Sequence, residues 1–600
     1  MVRSVVGGLA ALAIALGGMA PAGRAASPNA PPTLPLSEVH PGMTGYGLTV
    51  VRGTTIDRFR VQILGTLRGG GPTSDLILFR AGGPVIDRAG GTAEGMSGSP
   101  IFVDGKMIGA LSYGYHFPGR DADLSLATPI DEMLKIFSPA HADAAPFPRV
   151  YDADAPISTP AGAIARVFLM RSTRDAAGYN RHPLPQTVAV APTAVPLFVA
   201  GVSPMAFTML SRVLGRYNVV PMQGYGGTKV FTPPPIEPGS SMGIELVRGD
   251  VEMGAIGTVT YRRGNQILAF GHPLLNAGQT AIPITAAWIN TVVRSIEFPF
   301  KEGSIGPLVG LATQDRSNGV GGVIGQFPQM FGVRVRVRNA EAGPVRESDA
   351  QVVRRADLAE SLVPLVALSA VQRSMDQVSG GSASIRIALR SRGIPDEIVR
   401  EDLAYDTADI ATAAVLSVPD ATQLLFGNFF KTLNPVDMTI DIIVSPRPNT
   451  ALLVSARPQV RNVTPGQRVR VDIGLWPHGG THQIDRTTEF TVPTDFPSGP
   501  AFLLVGTAGS LNDPTPTQQK FQLLNSLLGT PSGNAASLDE AVSQFEDFGK
   551  NTEVLVDLVP APVLEALGGN ANPSFESTAT ASLPTDWVVL GRFQIPMVVK

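Results

Sequence analysis

The stretch Gly95-Met96-Ser97-Gly98-Ser99-Pro100, followed at once by Ile101-Phe102-Val103-Asp104-Gly105-Lys106-Met107-Ile108-Gly109-Ala110, constrains this chain more than any other. Asp104-Gly105 stands between two apolar runs, Pro100 to Val103 and Met107 to Leu111, and Asp-Gly in that setting signals a β-hairpin. A serine flanked by glycines and feeding such a hairpin sits on a tight turn of antiparallel β-structure. The glycines let the backbone turn sharply, and their N–H groups, with that of the serine, can converge on one point and hold a developing oxyanion. The plain alternative is a Gly/Ser-rich turn with no chemistry, so the surrounding sequence has to decide.

Short strands recur on both sides. Gly45 to Val51 leads to a turn near Arg52-Gly53, Phe59 to Leu64 alternates as a half-buried strand does, and Asp75 to Arg80 is a further short strand. Much later, Ala255 to Tyr261, a turn at Arg262-Arg263-Gly264-Asn265, and Gln266 to Phe270 form a second hairpin pattern that ends in Gly271-His272-Pro273. A histidine at the end of a buried strand, between Gly and Pro, is placed in a cleft by its backbone. Gly45 to Gly53 and Met242 to Gly249 share a strand-and-turn pattern, an internal echo of the kind two related barrels produce.

The serine turn, with Gly90-Gly91-Thr92-Ala93-Glu94 before it and the strand-turn-strand after it, resembles the nucleophile segment of the SpoIVB-type serine peptidases, bacterial proteases with a trypsin-like barrel. Gly257-Thr258-Val259-Thr260-Tyr261, the turn, and Ile267-Leu268-Ala269-Phe270-Gly271-His272-Pro273 resemble the segment that carries their catalytic histidine. The resemblance covers about residues 36 to 345 and implies a mainly β fold with a trypsin-like, permuted double β-barrel. It implies acyl transfer by Ser97, with His272 as general base and the backbone N–H groups of Gly95 and Ser97 as the oxyanion hole. Ser99 is the rival nucleophile; Ser97 holds the G-x-S-G position. Such peptidases cut peptide bonds in protein or peptide substrates and use no cofactor and no metal.

Two departures from the family pattern matter. The histidine segment precedes the serine segment in the sporulation peptidase that names the family, whereas here Ser97 comes first. The family's acid aligns with Gly82 and is therefore missing; Asp87, nearby, and Asp315, from the other half, are the candidates for a third member. A histidine without an acid is less well held in its tautomer, at a cost of about four orders of magnitude in rate. A relocated acid, a serine–histidine dyad and an inactive enzyme all stay open. His40, at a strand end, and His116, after the serine hairpin, are weaker candidates. His478 and His482 flank a glycine-rich turn and lack the ~4 ligands of a structural zinc site. Gly319-Val320-Gly321-Gly322 lacks the lysine of a phosphate loop.

Length and composition set the frame. Six hundred residues imply about three or four domains, and 44% apolar residues with 16% charged describe a globular chain. A net charge of −3 without a long basic run argues against a nucleic-acid partner. The absence of cysteine excludes disulfides, thiolate metal sites, a cysteine nucleophile and a lipid anchor at Cys. Arg3, the apolar run Val5 to Leu16, and small residues up to Ala25 read as a secretory signal over residues 1–26, and so as export to the periplasm or exterior; no later stretch is long and apolar enough for a transmembrane segment.

After a linker over 27–35, the expected organisation is a barrel half with the serine motif (36–140), a connector (141–235) and a barrel half with the histidine motif (236–345). A helical segment (346–435), with a break or kink at Pro364, and a β-sandwich-like domain with a helical insert (436–600) follow. The C-terminal β-domain is the expected surface for an envelope protein partner. The competing reading of the whole chain is a catalytically inactive peptidase-like scaffold or peptide-binding protein of the cell envelope.

Overall fold

The structure is a computed structural model that describes residues 30–69, 74–114, 124–138, 147–159, 162–192, 195–217, 219–224, 231–295, 299–341, 343–375, 378–507, 535–547, 549–566 and 580–600. The segment read as a secretory signal, His116 and, within the expected helical insert, residues 508–534 lie outside the described residues. Strand accounts for 54% and helix for 17%, so the fold is mainly β as expected.

The serine motif lies in a ring of strands: β1 (Thr44–Arg52), β2 (Thr55–Gly69), β3 (Leu76–Gly82), β4 (Pro100–Val103), β5 (Lys106–Gly114) and β6 (Leu124–Pro129). Antiparallel pairings run β1–β2, β2–β3, β3–β6, β6–β5, β5–β4 and β4–β1, which closes the ring on itself. Closure leaves no free strand edge in the ring. The alternation of β2 directs Phe59, Val61 and Ile63 inward, where they meet Ile77, Phe79, Ile101, Val103 and Ile108. The Asp104-Gly105 hairpin forms as read: Val103 pairs with Lys106, and both turn residues have positive φ (48° and 75°), as a two-residue turn of the twist-matching hand requires.

Residues 141–235 are more than a connector. β7 (Arg149–Thr159), β8 (Gly162–Leu169) and β9 (Thr187–Pro192) extend the first sheet outward from β2 and return to β5. β10 (Val195–Ala200), a helix over Pro204–Leu214 and β11 (Val219–Gln223) then lead into the second sheet, where β10 joins the strand Glu252–Arg263. β7 was hard to see because it is a half-exposed strand, with Arg149 and Tyr151 buried but Asp154, Ala155 and Pro156 facing solvent.

The histidine motif lies in a second ring: β12 (Ser241–Gly249), β13 (Glu252–Arg263), β14 (Gln266–Ala269), β15 (Gly278–Val293), β16 (Phe300–Arg316) and β17 (Gly319–Ile324). Its pairings, β12–β13, β13–β14, β14–β17, β17–β16, β16–β15 and β15–β12, repeat the order of the first ring. The echo seen in the sequence falls on β1 and β12, the first strand of each ring. Ser97 precedes the fourth strand of its ring, and His272 precedes the fourth strand of the other.

From β12 the second sheet continues through Arg346–Val353, Met330–Asn339, Asn434–Ser445, Gly381–Arg392 and Ile398–Asp406. Two expectations change here. Residues 346–435 are not a helical segment alone but strands with helices packed on them, and the strand Asn434–Ser445 belongs to this sheet rather than to the C-terminal unit. The helix Ala356–Ser374 also runs through Pro364 without a break. The ring of Pro364 costs about 3 kcal/mol in a helix interior. Burial of Leu358, Leu362, Val363, Leu365, Val366, Leu368 and Val371 outweighs that cost. The C-terminal residues form a four-stranded and a five-stranded sheet that share one apolar core, including Leu453, Val471, Ile473, Leu503, Val505, Val556 and Ile595. Arg592–Val599 returns to pair with Gly499–Gly506.

Candidate active site

The serine turn is anchored before it is functional. Met96, the variable residue of G-x-S-G, is fully buried and plugs the turn into the core of the first ring. The turn's backbone is closed by Met96 N–H donating to the Ala93 carbonyl (3.0 Å), Ser99 N–H to Met96 (2.9 Å) and Gly98 N–H to Leu111 of β5 (2.8 Å). Gly95 has φ +84° and its N–H takes no part in these bonds.

The two sequence motifs lie directly against each other. Thr258 of β13 donates its N–H to the Ser97 carbonyl (2.9 Å) and its hydroxyl to the Gly95 carbonyl (3.1 Å). Two residues on, the Thr260 hydroxyl donates to the Gly98 carbonyl (2.7 Å). The Thr258 carbonyl in turn accepts from Phe270 N–H (3.3 Å). Gly98 is so close to this strand that a Cβ on it would lie 2.0 Å from the Thr258 oxygen and 2.4 Å from the Phe270 nitrogen. From the other side the Thr128 hydroxyl of β6 donates to the Gly271 carbonyl (2.6 Å). Elsewhere along the seam the rings exchange backbone bonds between Gly53 and Ile289 and between Glu94 and Lys301.

His272 enters this seam through a distorted strand end. Phe270 has φ +67°, and Gly271 N–H donates to the Ala269 carbonyl (2.8 Å), a γ-turn of the strained hand. Strain of that kind gathers at functional sites. The imidazole has no solvent exposure and lies among the rings of Phe270 (6.0 Å between centroids) and Tyr113 (6.3 Å). Nδ1 is 2.8 Å from the Pro273 carbonyl oxygen. A carbonyl can only accept, so Nδ1 carries the proton and Nε2 is left with its lone pair. Burial pushes the imidazole pKa down to about 4, which keeps the ring neutral at physiological pH.

The other candidates are sorted by the same geometry. Ser99 Oγ is buried and has no hydrogen-bond partner among the described residues, so no base activates it. Asp87 lies exposed on the short helix Pro84–Ala89 and makes no hydrogen bond to the buried imidazole. Asp315, near the end of β16, is 2% exposed and accepts three backbone N–H groups from Leu274, Leu275 and Ala277. Burial pushes its carboxyl up from the usual range, against the pull of those three donors and of Arg355. Gly82, the position at which the resemblance implies the missing acid, ends β3, and a Cβ there would meet nothing within 4 Å. His40, His478 and His482 are exposed, and among the described residues no group of three His, Asp or Glu side chains is placed to hold a metal.

Lys301 of β16 was not singled out in the sequence. Its side chain is fully buried under Gly95, with Nζ donating to the Thr258 hydroxyl (3.1 Å), and burial pushes its pKa down to about 7. Thr258 could be found only as part of the histidine-like segment, and the Pro273 carbonyl had no signal beyond the Pro after His272.

Among the described residues no helix is long and apolar enough to cross a membrane. No curated protein and no solved structure matches the chain. Residues 26–134 match the family model of the SpoIVB peptidase S55, a segment that includes the serine turn and ends well before His272. That segment, and with it the serine turn, is similar to the SpoIVB peptidase S55 family.

Proposed function

We propose that this protein is an exported serine endopeptidase in which Ser97 is the nucleophile and His272 the general base. The two rings of identical strand order are read as the paired, permuted barrels of a trypsin-like peptidase, with the site in the seam between them. Ser97 Oγ attacks the scissile carbonyl while His272 Nε2 takes its proton. The oxyanion forms against the N–H groups of Gly95 and Ser97, and the imidazolium then returns the proton to the leaving amine. The observation that carries this reading is the bond from His272 Nδ1 to the Pro273 carbonyl (2.8 Å), because it leaves Nε2 as the basic nitrogen of a neutral ring. The substrate is a protein or peptide in the periplasm or outside the cell, and the C-terminal pair of sheets, read as a β-sandwich, is the surface for an envelope partner.

A second reading is favoured by one observation. Ser97 is only 2% exposed and His272 not at all, which suits an inactive peptidase-like scaffold or peptide-binding protein as well as a closed enzyme. Reaction of the purified protein with a fluorophosphonate probe separates the two. Labelling that is lost in Ser97→Ala and His272→Ala but kept in Ser99→Ala is the expected result. A folded wild type that is never labelled supports the scaffold, and loss with Ser99→Ala alone moves the nucleophile to Ser99.

A further inference from the structure

We propose that Asp315 is the positioning acid of this site and that it acts on His272 through the Pro273–Leu274 peptide group instead of by direct contact. This rests on the reading of His272 as the general base. Asp315 Oδ1 accepts the Leu274 N–H (2.8 Å). That N–H belongs to the same peptide group as the Pro273 carbonyl, which accepts the His272 Nδ1–H (2.8 Å). The three groups form one continuous chain: carboxylate, amide, imidazole. Hydrogen bonds in such a chain polarise one another, so an amide that donates to a carboxylate presents a more negative oxygen at its other end.

The chain performs both tasks of a triad acid. It fixes the tautomer, because the polarised carbonyl accepts a proton only from Nδ1. It also stabilises the imidazolium formed when Nε2 takes the serine proton, since the carbonyl is strengthened by a full negative charge behind it. The carboxylate is committed to this arrangement: Oδ2 accepts Leu275 N–H (2.8 Å) and Ala277 N–H (3.1 Å), so the loop after His272 is wrapped around Asp315. Asn276, within that loop, has φ +56°, the tight curvature that brings successive N–H groups onto one carboxylate. Proline at 273 contributes no N–H of its own to compete for either acceptor. The acid thus reaches the histidine from the end of β16 in the same ring, which is why no acid is needed at Gly82, in the other ring.

The test uses the full-length protein with histidine ring nitrogens labelled with ¹⁵N, the His272 signals being identified by their loss in His272→Ala. The expected result for wild type at neutral pH is a ring protonated on Nδ1. Asp315→Asn, which keeps an acceptor for Leu274 but removes the charge, is expected to lower the fluorophosphonate labelling rate about ten- to a hundred-fold, the range typical of outer hydrogen-bond partners of ligating histidines, and to shift the His272 nitrogen signals, with the far-ultraviolet circular dichroism unchanged. A wild-type ring protonated on Nε2 overturns the proposal with no variant needed, so a misfolded Asp315→Asn does not shelter it. A folded Asp315→Asn with wild-type labelling and unshifted His272 signals overturns it too. Wild type that is not labelled, but whose His272 is protonated on Nδ1 and responds to Asp315→Asn, removes the peptidase reading and leaves the relay standing.

Discussion

Replacing Gly98 with alanine tests whether the second glycine of the serine motif exists for packing between the rings. At φ +90° an alanine is strained by about 1–2 kcal/mol. Its Cβ would also sit 2.0 Å from the Thr258 oxygen and 2.4 Å from the Phe270 nitrogen, both backbone atoms that no rotamer change can move. The strand must retreat by more than 1 Å, roughly the difference from an ordinary ~3.5 Å contact. That retreat stretches the bonds from Thr258 N–H to Ser97, Thr258 hydroxyl to Gly95 and Thr260 hydroxyl to Gly98, at about 1 kcal/mol each. The total is about 4–5 kcal/mol. Gly105→Ala is the control: its φ of +75° gives a similar strain, but nothing lies within 4 Å of the new Cβ. Urea unfolding followed by tryptophan fluorescence, with fluorophosphonate labelling alongside, compares the two. Gly98→Ala is expected to lose about 3 kcal/mol more than Gly105→Ala and to lose labelling, while Gly105→Ala keeps it. Equal stabilities for the two variants would refute the claim that the motifs are interlocked at Gly98.

Three further outcomes follow from the buried titratable groups. With the His272 pKa held down to about 4 by burial, labelling of Ser97 should persist as pH falls through 6.5 and fail only near pH 4, as measured by initial labelling rates; a midpoint near 6.5 would mean that water reaches the ring. Because unfolded histidine binds its proton near pH 6.5 and the folded one does not, the same shift removes stability as pH drops from 6.5 towards 4, by about 3 kcal/mol at most. Lys301, its pKa pushed down to about 7 against 10.5 unfolded, likewise opposes folding most below pH 7 and not at all above the unfolded value. Lys301→Met is therefore expected to raise stability by a few kcal/mol in urea melts at pH 7, with the gain shrinking towards pH 10; a loss at pH 7, unchanged at pH 10, would show that the ammonium supports the serine turn instead.

Much of the site was legible because both motifs are local. The Asp104-Gly105 hairpin, the strand ending at His272 and the glycine-flanked serine are each encoded within about ten residues, where turn chemistry and alternation act directly. The echo between β1 and β12 was readable for the same reason, although the rings it belongs to are closed by pairings such as β3–β6 and β14–β17 that no local pattern reports. β7 was missed because a half-exposed strand has little apolar signal, and the strands Gly381–Arg392 and Ile398–Asp406 because polar residues such as Ser382, Ser391, Arg400 and Asp402 fill buried positions where an apolar residue would mark a strand. Pro364 does not break its helix for an energetic reason: a helix buried on nearly every side tolerates a residue that an exposed helix does not. The roles of the Pro273 carbonyl and of Lys301 depend on depth of burial and on a backbone oxygen, neither of which a side-chain pattern records.

Burial creates the difficulty that the acid must solve. A ring whose pKa is lowered to about 4 resists becoming the imidazolium that proton transfer requires, by about 3 kcal/mol relative to an ordinary histidine. A charge-assisted hydrogen bond is worth about 1.5–3 kcal/mol net, so a single polarised acceptor at Nδ1 is of the size needed to offset most of that resistance. Asp315 strengthens that bond by standing behind the Pro273–Leu274 amide, by about 10–30% on the usual scale of hydrogen-bond cooperativity. It also fits the division of labour in the loop: three N–H donors hold the carboxylate, and the Pro273 carbonyl faces Nδ1. A carboxylate in direct contact would bring a second charge against a ring already packed by Phe270 and Tyr113. Passing its field through an amide keeps the charge where three donors already solvate it, and leaves a neutral imidazole protonated on Nδ1.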